Sequence, residues 1–475
     1  MQVLIKFGTD GWRGIIAEDF TFENVRACAH SVAFYLKRRG LAQRGLVVGY
    51  DTRFASEDFA QAVAEVVTAN GIPVLLCPEP APTPVVTYTI LDQGAGGAVI
   101  ITASHNSAKY NGFKYKPEYA GSASPEICAE IEAPIPAILS AGATPRLPLA
   151  DAEAQGLLRW HDPAPAYIRR MEALVEVDGL RQAGLRVVAD AMYGAGAGWF
   201  PRLLAGGSTQ VWEIHGQRNP LFPGLHNPEP IARNLGELAQ AVSERKAQAG
   251  LATDGDADRI GLVDGGGQYI GPLHIFSLLA YYLLELRGLR GPIIKTVPTS
   301  HMIDRLGELY GVPVYETPVG FKYVGPLMME TDALLGGEES GGFGFRGYMP
   351  ERDGILSGLF LLDLVARAAM TPSAILQDIY RKVGPHHYDR IDITLRPGMR
   401  EGVLARVERA QPERLAGLAV ASADTVDGFR YKLEDGSWLL LRFSGTEPLL
   451  RIYSEAPRQE QVERLLQAGR ELAGA

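Results

Sequence analysis

A serine stands at the end of a short apolar run, in the segment Thr102-Ala-Ser-His-Asn106, and lysines follow at 109, 114 and 116. A serine at a strand tip can act as a nucleophile, and lysine ammonium groups suit the oxygens of a phosphoryl group. Taken alone, the stretch fits equally well with a polar turn whose Ser and Asn cap a helix. The Gly-x-Ser-x-Gly pattern of serine hydrolases is absent around Ser104.

Three aspartates alternate in Thr253-Asp-Gly-Asp-Ala-Asp-Arg259. An extended or tightly turning backbone presents Asp254, Asp256 and Asp258 to one side. Clustered carboxylates repel unless a cation neutralises them, and oxygen ligands favour magnesium or calcium. An EF-hand is excluded because its sixth and twelfth positions would be Arg259 and Gly265. A solvated acidic turn is the alternative, but apolar residues directly precede the segment, where unpaired charge is costly. The pattern therefore favours a metal site.

A glycine-rich segment holds Glu338, Glu339 and Ser340 between paired glycines. Glycines let a loop approach a ligand closely, and carboxylates suit the hydroxyls of a sugar. An ordinary glycine-rich surface turn explains this segment at least as well when it is taken alone.

The segment Arg442-Phe-Ser-Gly-Thr-Glu-Pro448, with Arg451 just beyond it, is more informative. A Ser-Gly-Thr turn exposes backbone N–H groups and two hydroxyls, and the two arginines add bidentate positive charge. The pattern predicts a phosphate-binding loop; a hairpin turn with solvated arginines is the alternative. Near the N-terminus, Phe7-Gly-Thr-Asp-Gly-Trp-Arg-Gly14 offers Arg13 as a further phosphate ligand or as part of a structural turn.

Three stretches of the chain have the elements needed to position these motifs. Each has an apolar run after a glycine, then a helical segment and a second apolar run, which is typical of parallel strand–helix–strand units. The first runs lie at 45–49, 184–188 and 291–294, and the second at 72–76, 209–214 and 312–315. A third run, at 98–101, 250–252 and 333–335, ends in each case at one of the polar motifs. Ligands bind beyond the carboxyl ends of such strands, so we expect one composite site.

The elements around these runs complete the prediction. The residues 235–249 have a helical pattern, and the apolar run at 275–284 suits a buried core helix. The last hundred residues predict a smaller α+β domain: a hairpin over 430–443 around Asp435-Gly436, a strand at 449–453 and a helix at 459–472.

Composition restricts the classes of function. The chain has 475 residues, 46% hydrophobic and 21% charged, with a net charge of −9. These values are typical of a globular protein of several domains. The negative charge argues against a nucleic-acid partner, which requires a basic face. Three widely spaced cysteines without a CxxC pair predict a reducing, cytoplasmic location. We find no signal peptide and no apolar run of membrane-spanning length, so no membrane partner is expected.

Taken together, the motifs resemble the α-D-phosphohexomutase superfamily over essentially the whole chain. That family has, in this order, an Arg-Gly segment, a phosphoserine loop, an Asp-Gly-Asp-x-Asp-Arg metal loop, a Gly-Glu-x-Ser-Gly sugar loop and an Arg-x-Ser-Gly-Thr-Glu-Pro phosphate loop. The resemblance implies three similar α/β domains with mixed or parallel sheets and a C-terminal α+β domain around a central cleft. We expect their boundaries at 1–148, 149–262, 263–375 and 376–475.

The resemblance also implies a role for each matching residue. Ser104 would be phosphorylated and would complete a Mg²⁺ site with Asp254, Asp256 and Asp258. Arg13 and Arg259 would contact the phosphoserine, while His105 and Lys114 would serve proton transfer and the transition state. The sugar hydroxyls would be held by Glu338 and Ser340, with Lys322 as a further cleft residue. The phosphate that is not transferred would be held by five residues: Arg442, Ser444, Gly445, Thr446 and Arg451.

The implied reaction interconverts hexose monophosphates through phosphoserine and a bound hexose 1,6-bisphosphate, with glucose 1,6-bisphosphate as activator. Glu339 resembles the phosphoglucomutase form of the sugar loop, where phosphomannomutases more often have Met and phosphoglucosamine mutases Gln. We therefore expect glucose phosphates as substrates and mannose or glucosamine phosphates as the alternatives. A metal-dependent phosphatase and an inactive sugar-phosphate-binding protein are the other classes. One departure is Ser107, where the family usually has Pro. A monomer and a homodimer are both compatible with the sequence.

Overall fold

The computed structural model describes residues 5–8, 10–142, 144–396, 398–444 and 449–474. Its first sheet has six strands in the order β1-β5-β4-β2-β3-β6. Strands β2 and β4 are buried along their whole length because helices cover both faces of this largely parallel sheet. The elements are β1 (Trp12–Ile15), α1 (Phe22–Arg38), β2 (Leu46–Tyr50), α2 (Ser56–Ala69), β3 (Val74–Leu76), α3 (Thr83–Gln93), β4 (Gly97–Ile101), β5 (Tyr110–Pro117), α4 (Pro125–Glu132), α5 (Ile135–Ala141), α6 (Leu149–Ala154) and β6 (Leu158–Trp160).

The second sheet has five strands in the order β11-β10-β9-β7-β8. Its elements are α7 (Ala164–Leu174), α8 (Val177–Gln182), β7 (Arg186–Asp190), α9 (Trp199–Leu204), β8 (Gln210–Ile214), α10 (Gly236–Arg245), β9 (Ala249–Thr253), β10 (Ile260–Asp264) and β11 (Tyr269–Ile270). The predicted helix over 235–249 is wrong at its C-terminal end. Lys246 takes a left-handed conformation (φ +49°) that ends α10, and Ala249 already pairs with β7 and β10.

The third sheet has four strands in the order β13-β12-β14-β15. The predicted core helix is confirmed as α11, which continues through one π-helical turn, Tyr282–Leu286, and is buried over most of its length. The elements are α11 (Pro272–Tyr281), β12 (Ile293–Thr296), α12 (Met302–Tyr310), β13 (Val314–Thr317), α13 (Phe321–Thr331), β14 (Leu335–Gly337), β15 (Phe343–Phe345), α14 (Gly354–Ala368) and α15 (Pro372–Val383).

The predicted threefold repeat is confirmed by strand pairing. The strands formed by the first apolar runs, β2, β7 and β12, each have two parallel neighbours. On one side lies the strand of the second run (β3, β8 or β13), and on the other side the strand of the third run (β4, β9 or β14). The third strands, β4, β9 and β14, each pair antiparallel with the strand that follows the polar motif. The Ser104, Asp254 and Glu338 motifs therefore occupy equivalent strand-to-strand connections.

The fourth sheet is antiparallel, with the order β16-β21-β20-β19-β18-β17. It confirms the α+β prediction, including the hairpin around Asp435-Gly436. Helix α17 packs its apolar face on this sheet, where Val462 and Leu465 are fully buried. The elements are β16 (His387–Thr394), α16 (Met399–Arg409), β17 (Arg414–Leu415), β18 (Leu418–Asp424), β19 (Phe429–Leu433), β20 (Trp438–Phe443), β21 (Leu449–Ala456) and α17 (Gln459–Ala473).

The four-domain α/β architecture is as expected, while the boundaries after 148, 262 and 375 stay predictions. Two sheets extend past these positions, since Leu158–Trp160 pairs with β3 and Tyr269–Ile270 completes the second sheet. Among the described residues, no single helix is long and apolar enough to cross a membrane; α14 and α15 reach that length and composition only as a pair bent by 78°.

Candidate active site

Ser104 lies in the turn that follows β4, with its side chain buried. Its φ of +51° places it in the left-handed region, which non-glycine residues enter at a cost. The backbone N–H of Ser104 donates to Thr102 Oγ1 at 2.9 Å. Its hydroxyl donates to Asp254 Oδ2 at 2.8 Å and lies 3.3 Å from His105 Nδ1. The structure thus joins the predicted nucleophile to the predicted metal loop.

The three aspartates after β9 are fully buried and converge, with one carboxylate oxygen from each lying within 4.8 Å of the others. Burial, together with the charges of Asp258 and Asp256, raises the pKa of Asp254 well above its usual range. Within the described chain, Asp256 Oδ1 and Asp258 Oδ1 are buried without a hydrogen-bond partner. Buried carboxylate oxygens without a hydrogen-bond partner are strongly unfavourable, so this donor set fits a hard divalent cation.

Lys114, on β5, is buried among carboxylates. Its ammonium lies 2.7 Å from Asp10 Oδ2, 2.7 Å from Asp256 Oδ2 and 3.2 Å from Asp258 Oδ2. Burial opposes the charged form, but these carboxylates outweigh it and raise the pKa of Lys114. Lys114 therefore supplies a permanent positive charge beside the aspartates.

Arg352, two residues before the start of α14, connects the predicted metal loop with the predicted sugar loop. Its guanidinium lies 2.8 Å from Asp258 Oδ2, 2.7 Å from Asp10 Oδ2 and 3.3 Å from Glu338 Oε2. The side chain is only 6% exposed. Three carboxylates from distant parts of the sequence therefore share one buried cation.

The predicted sugar loop after β14 places Glu338 and Glu339 in different surroundings. Glu338 accepts a hydrogen bond from the backbone N–H of Gly320 at 3.0 Å, and its burial raises its pKa to about 7. Glu339 accepts from Thr296 Oγ1 at 3.2 Å. Ser340 Oγ is buried and has no hydrogen-bond partner among the residues described, which leaves it available to a ligand.

The C-terminal loop between β20 and β21 is described only in part. Gly445 and Thr446 lie outside the described residues, whereas Arg442, Ser444 and Arg451 are within them. Arg442 and Arg451 are directly opposite each other in the strand register. Like charges so placed repel, and an anion bound between them would relieve the repulsion. Arg442 Nε lies 3.0 Å from Asp427 Oδ2, which also accepts from the Val319 N–H at 2.8 Å.

Four further predicted residues, Arg13, Arg259, His105 and Lys322, make different contacts in the structure. Arg13 Nη1 donates to Asn106 Oδ1 at 2.5 Å, so it reaches the loop that carries Ser104. Arg259 Nε lies 3.9 Å from Asp254 Oδ2 and 3.8 Å from Asp258 Oδ1. Burial, with the charges of Arg259 and Arg13, lowers the pKa of His105 well below its usual value. Lys322 is the second residue of α13, and its ammonium lies over the ring of its neighbour Tyr323, 5.3 Å from the centroid.

Comparison with known proteins gives the family. Models of the four domains described as "Phosphoglucomutase/phosphomannomutase", namely alpha/beta/alpha domains I, II and III and the C-terminal domain, match residues 4–141, 165–267, 272–383 and 404–472. The chain belongs to this family. It is therefore an enzyme of the phosphohexomutase type, an isomerase within the α-D-phosphohexomutase superfamily.

Relatives of this phosphohexomutase carry different substrate names. A "Phosphoglucomutase/phosphomannomutase" from Thermococcus kodakarensis is 31% identical, covering 98% of this chain and 97% of its own. A "Probable phosphoglucosamine mutase" from Thermococcus gammatolerans is also 31% identical, over the same shares of the two chains. A crystal structure of a "putative phosphomannomutase" from Thermus thermophilus is 34% identical, with a TM-score of 0.87 and full coverage of both chains. These names agree on the reaction type and differ on the sugar.

Sequence reasoning missed two members of the phosphohexomutase site, Asp10 and Arg352. Asp10 stands inside the Phe7–Gly14 segment, of which only Arg13 was singled out, and it bridges Lys114, Lys116 and Arg352. Arg352 belongs to the charged run Glu351-Arg-Asp353, which enters the apolar helix α14. Charged residues directly beside a buried apolar segment are the signal that could have found it, as it did for the aspartates.

Proposed function

We propose that this chain interconverts glucose 1-phosphate and glucose 6-phosphate by way of a phosphorylated Ser104. One observation carries the proposal: the hydroxyl of Ser104 donates to Asp254 inside a buried cluster that also holds Lys114 and two further aspartates. The carboxylates and cations around this serine suit the metal ion and the charged oxygens of a transferring phosphoryl group.

The proposed reaction has two half-reactions. In the first, a hydroxyl oxygen of the sugar monophosphate bonds to phosphorus while the bond between phosphorus and Ser104 Oγ breaks. The hydroxyl proton passes to a nearby base, which delivers it to the leaving Ser104 Oγ. The bound bisphosphate then reorients, and its other phosphate returns to Ser104 Oγ, whose proton passes by way of the base to the departing sugar oxygen. Lys114, Arg13 and Arg259 would stabilise the transferring phosphoryl, and His105, 3.3 Å from Ser104 Oγ, is the proposed proton carrier.

Asp254, Asp256, Asp258 and a phosphoryl oxygen on Ser104 would hold the metal ion, for which we propose Mg²⁺. The ion would draw negative charge from the transferring group. Glu338 and Ser340 would bind sugar hydroxyls, with Lys322 as a further cleft residue. Arg442, Ser444, Gly445, Thr446 and Arg451 would hold the phosphate that is not transferred. Glucose 1,6-bisphosphate would serve as intermediate and activator.

The preference for glucose is supported by the Glu338-Glu339 pair of the sugar loop. Mannose phosphates and glucosamine 6-phosphate are the alternatives, as the names of the relatives indicate. We further infer a cytoplasmic enzyme, since all three cysteines are buried free thiols. A monomer or a homodimer fits the proposal.

A coupled assay with wild type and Ser104→Ala, each with and without Mg²⁺, tests this function. We expect the wild type to turn over glucose 1-phosphate only with Mg²⁺ and to release little inorganic phosphate, and Ser104→Ala to be inactive. Faster turnover of mannose 1-phosphate or glucosamine 6-phosphate would reassign the sugar. Stoichiometric phosphate release would identify a phosphatase, and full activity of Ser104→Ala would overturn the mechanism.

A further inference from the structure

Arg53, in the loop between β2 and α2, is fully buried. Its guanidinium donates to four backbone carbonyls of the segment 104–110, which we call the serine loop. Nη2 donates to Ser104 O at 2.6 Å and Asn106 O at 2.7 Å, and Nη1 donates to Ser107 O at 3.0 Å and Tyr110 O at 3.1 Å. One planar group thereby holds the loop over its whole length.

A second set of contacts closes a ring around Ser104. Arg53 Nε donates to Asp51 Oδ2 at 3.1 Å, and the same oxygen accepts from Thr102 Oγ1 at 2.6 Å. Thr102 Oγ1 in turn accepts from the Ser104 N–H at 2.9 Å. Both backbone polar groups of Ser104 are thus tied, directly or through Thr102 and Asp51, to Arg53.

Ser104 needs such restraint because its φ of +51° is unfavourable for a residue with a side chain. Strained conformations persist where the surroundings over-determine them, and they cluster at functional sites. A fully buried arginine is weak evidence for stability, since removing its charge from water is costly. This arrangement is better explained by a role in positioning Ser104 Oγ than by a contribution to the stability of the fold.

We propose that Arg53 is a positioning residue for phosphoryl transfer, holding the serine loop so that Ser104 Oγ faces the aspartates. This inference rests on the proposed function. Arg53 also restrains the carbonyl of Ser107, so the loop is held at this residue without a proline ring.

The test compares Arg53→Lys and Arg53→Gln, both smaller than arginine, with the matched control Arg44→Met. Arg44 also donates to two carbonyls, Gly94 O at 2.8 Å and Ala95 O at 3.0 Å, but at the opposite end of β4. The measurements are kcat and KM for glucose 1-phosphate, and hydrogen–deuterium exchange of the amides at 104–110.

We expect both Arg53 variants to lose roughly 10²-fold in kcat, because a displacement of about 1 Å at a reacting atom has that effect. KM should change less than about threefold, since the phosphate loop lies in another domain. Exchange should accelerate at 104–110. Arg44→Met should keep kcat within about twofold of wild type.

An active wild type whose folded Arg53 variants keep their kcat would overturn the inference. The same conclusion would follow if Arg44→Met lost as much kcat as the Arg53 variants, because the loss would then reflect general destabilisation. An inactive wild type would instead overturn the proposed function. In that case the exchange measurement still tests the role of Arg53, because faster exchange at 104–110 in the Arg53 variants than in the wild type would show that Arg53 orders the loop.

Discussion

At the scale of single residues, the surroundings of Glu338 predict a measurable dependence of substrate binding on pH. Glu338 is almost completely buried, and its carboxylate contacts Arg352 and the Gly320 N–H. Burial raises its pKa from an ordinary 4.5 to about 7. A carboxyl group with this pKa changes its charge within the range in which the enzyme would operate, and only its ionised form accepts hydrogen bonds at both oxygens.

We therefore predict that KM for glucose 1-phosphate rises as pH falls through about 7, because Glu338 takes up a proton and can no longer accept from sugar hydroxyls at both oxygens. Glu338→Gln should have a higher KM at pH 8 and should lack this rise. The variant also provides the baseline for the titration of the substrate's own phosphate.

Glu339→Gln is the matched control for the pH profile. Its KM for glucose 1-phosphate should change, since residue 339 is proposed to contribute to the preference for glucose, but the rise in KM below pH 7 should remain. If Glu338→Gln shows the same rise in KM below pH 7 as the wild type, the titrating group is not Glu338.

Residue types and spacing alone favoured the three aspartates as a metal site. Ser104 fitted a nucleophile and a helix-capping turn equally well until the motifs were taken together. Residue types and spacing did not single out Asp10 and Arg352, whose partners come from distant segments. The contacts of Arg352 with Asp10, Asp258 and Glu338 form only in the folded chain. Gly445 and Thr446 lie outside the described residues, so their predicted role stays a prediction.

At the scale of elements, two connecting loops approach very closely. An added Cβ at Gly255, between the first two aspartates, would lie 2.4 Å from the carbonyl oxygen of Ser104. The loop after β4 and the loop after β9 can therefore meet only if one of them has a glycine at this point. The close approach is what allows Ser104 Oγ to reach Asp254.

We predict that Gly255→Ala separates the two loops and lowers kcat by roughly 10²-fold, the usual consequence of displacing a reacting atom by about 1 Å. Mg²⁺ should bind more weakly as well. Steady-state kinetics with a Mg²⁺ titration would measure both effects.

Gly236→Ala, in the first turn of α10, is the control, because an added Cβ there meets no atom within 4 Å. It should leave kcat and the Mg²⁺ dependence unchanged. Wild-type kinetics in Gly255→Ala would show that the loops can separate without loss, contrary to this account.

The elements were more predictable than their ends. Apolar runs between glycines identified the strands of all three repeats, because a short continuous apolar run bounded by turn residues is the sequence pattern of a buried strand. The helix predicted over 235–249 was too long because Ala249 is a good helix former whose strand conformation is imposed by pairing with β7 and β10. That pairing is a tertiary effect, which local propensity does not contain.

At the scale of the whole molecule, a chain of polar contacts connects the C-terminal domain to the third domain. Arg430 donates to both oxygens of Glu316, at 2.7 and 2.6 Å, and to Asp424 at 2.8 Å. Asp427 joins the Val319 N–H to Arg442. These contacts join β19 and Arg442 of the C-terminal domain to β13 and the segment after it in the third domain. We therefore expect docking of the last domain to affect substrate binding.

We predict that Arg430→Met raises KM for glucose 1-phosphate about tenfold, equivalent to ~1.4 kcal/mol, because the docked arrangement loses its bidentate ion pair. Release of inorganic phosphate should increase, since an open cleft admits water. Arg464→Met, which removes an exposed pair with Glu460, is the control and should change neither quantity. An unchanged KM in Arg430→Met would show that the ion pair does not contribute to docking.

The central claim is that Ser104 carries the phosphoryl group between turnovers. The most direct measurement incubates the enzyme with glucose 1,6-bisphosphate bearing radiolabelled phosphate, locates the label by peptide mapping and then adds unlabelled glucose 1-phosphate. We predict that the label is found on the peptide containing Ser104 and then passes into hexose phosphate. Label that never reaches Ser104, or that leaves it only as inorganic phosphate, would contradict the account.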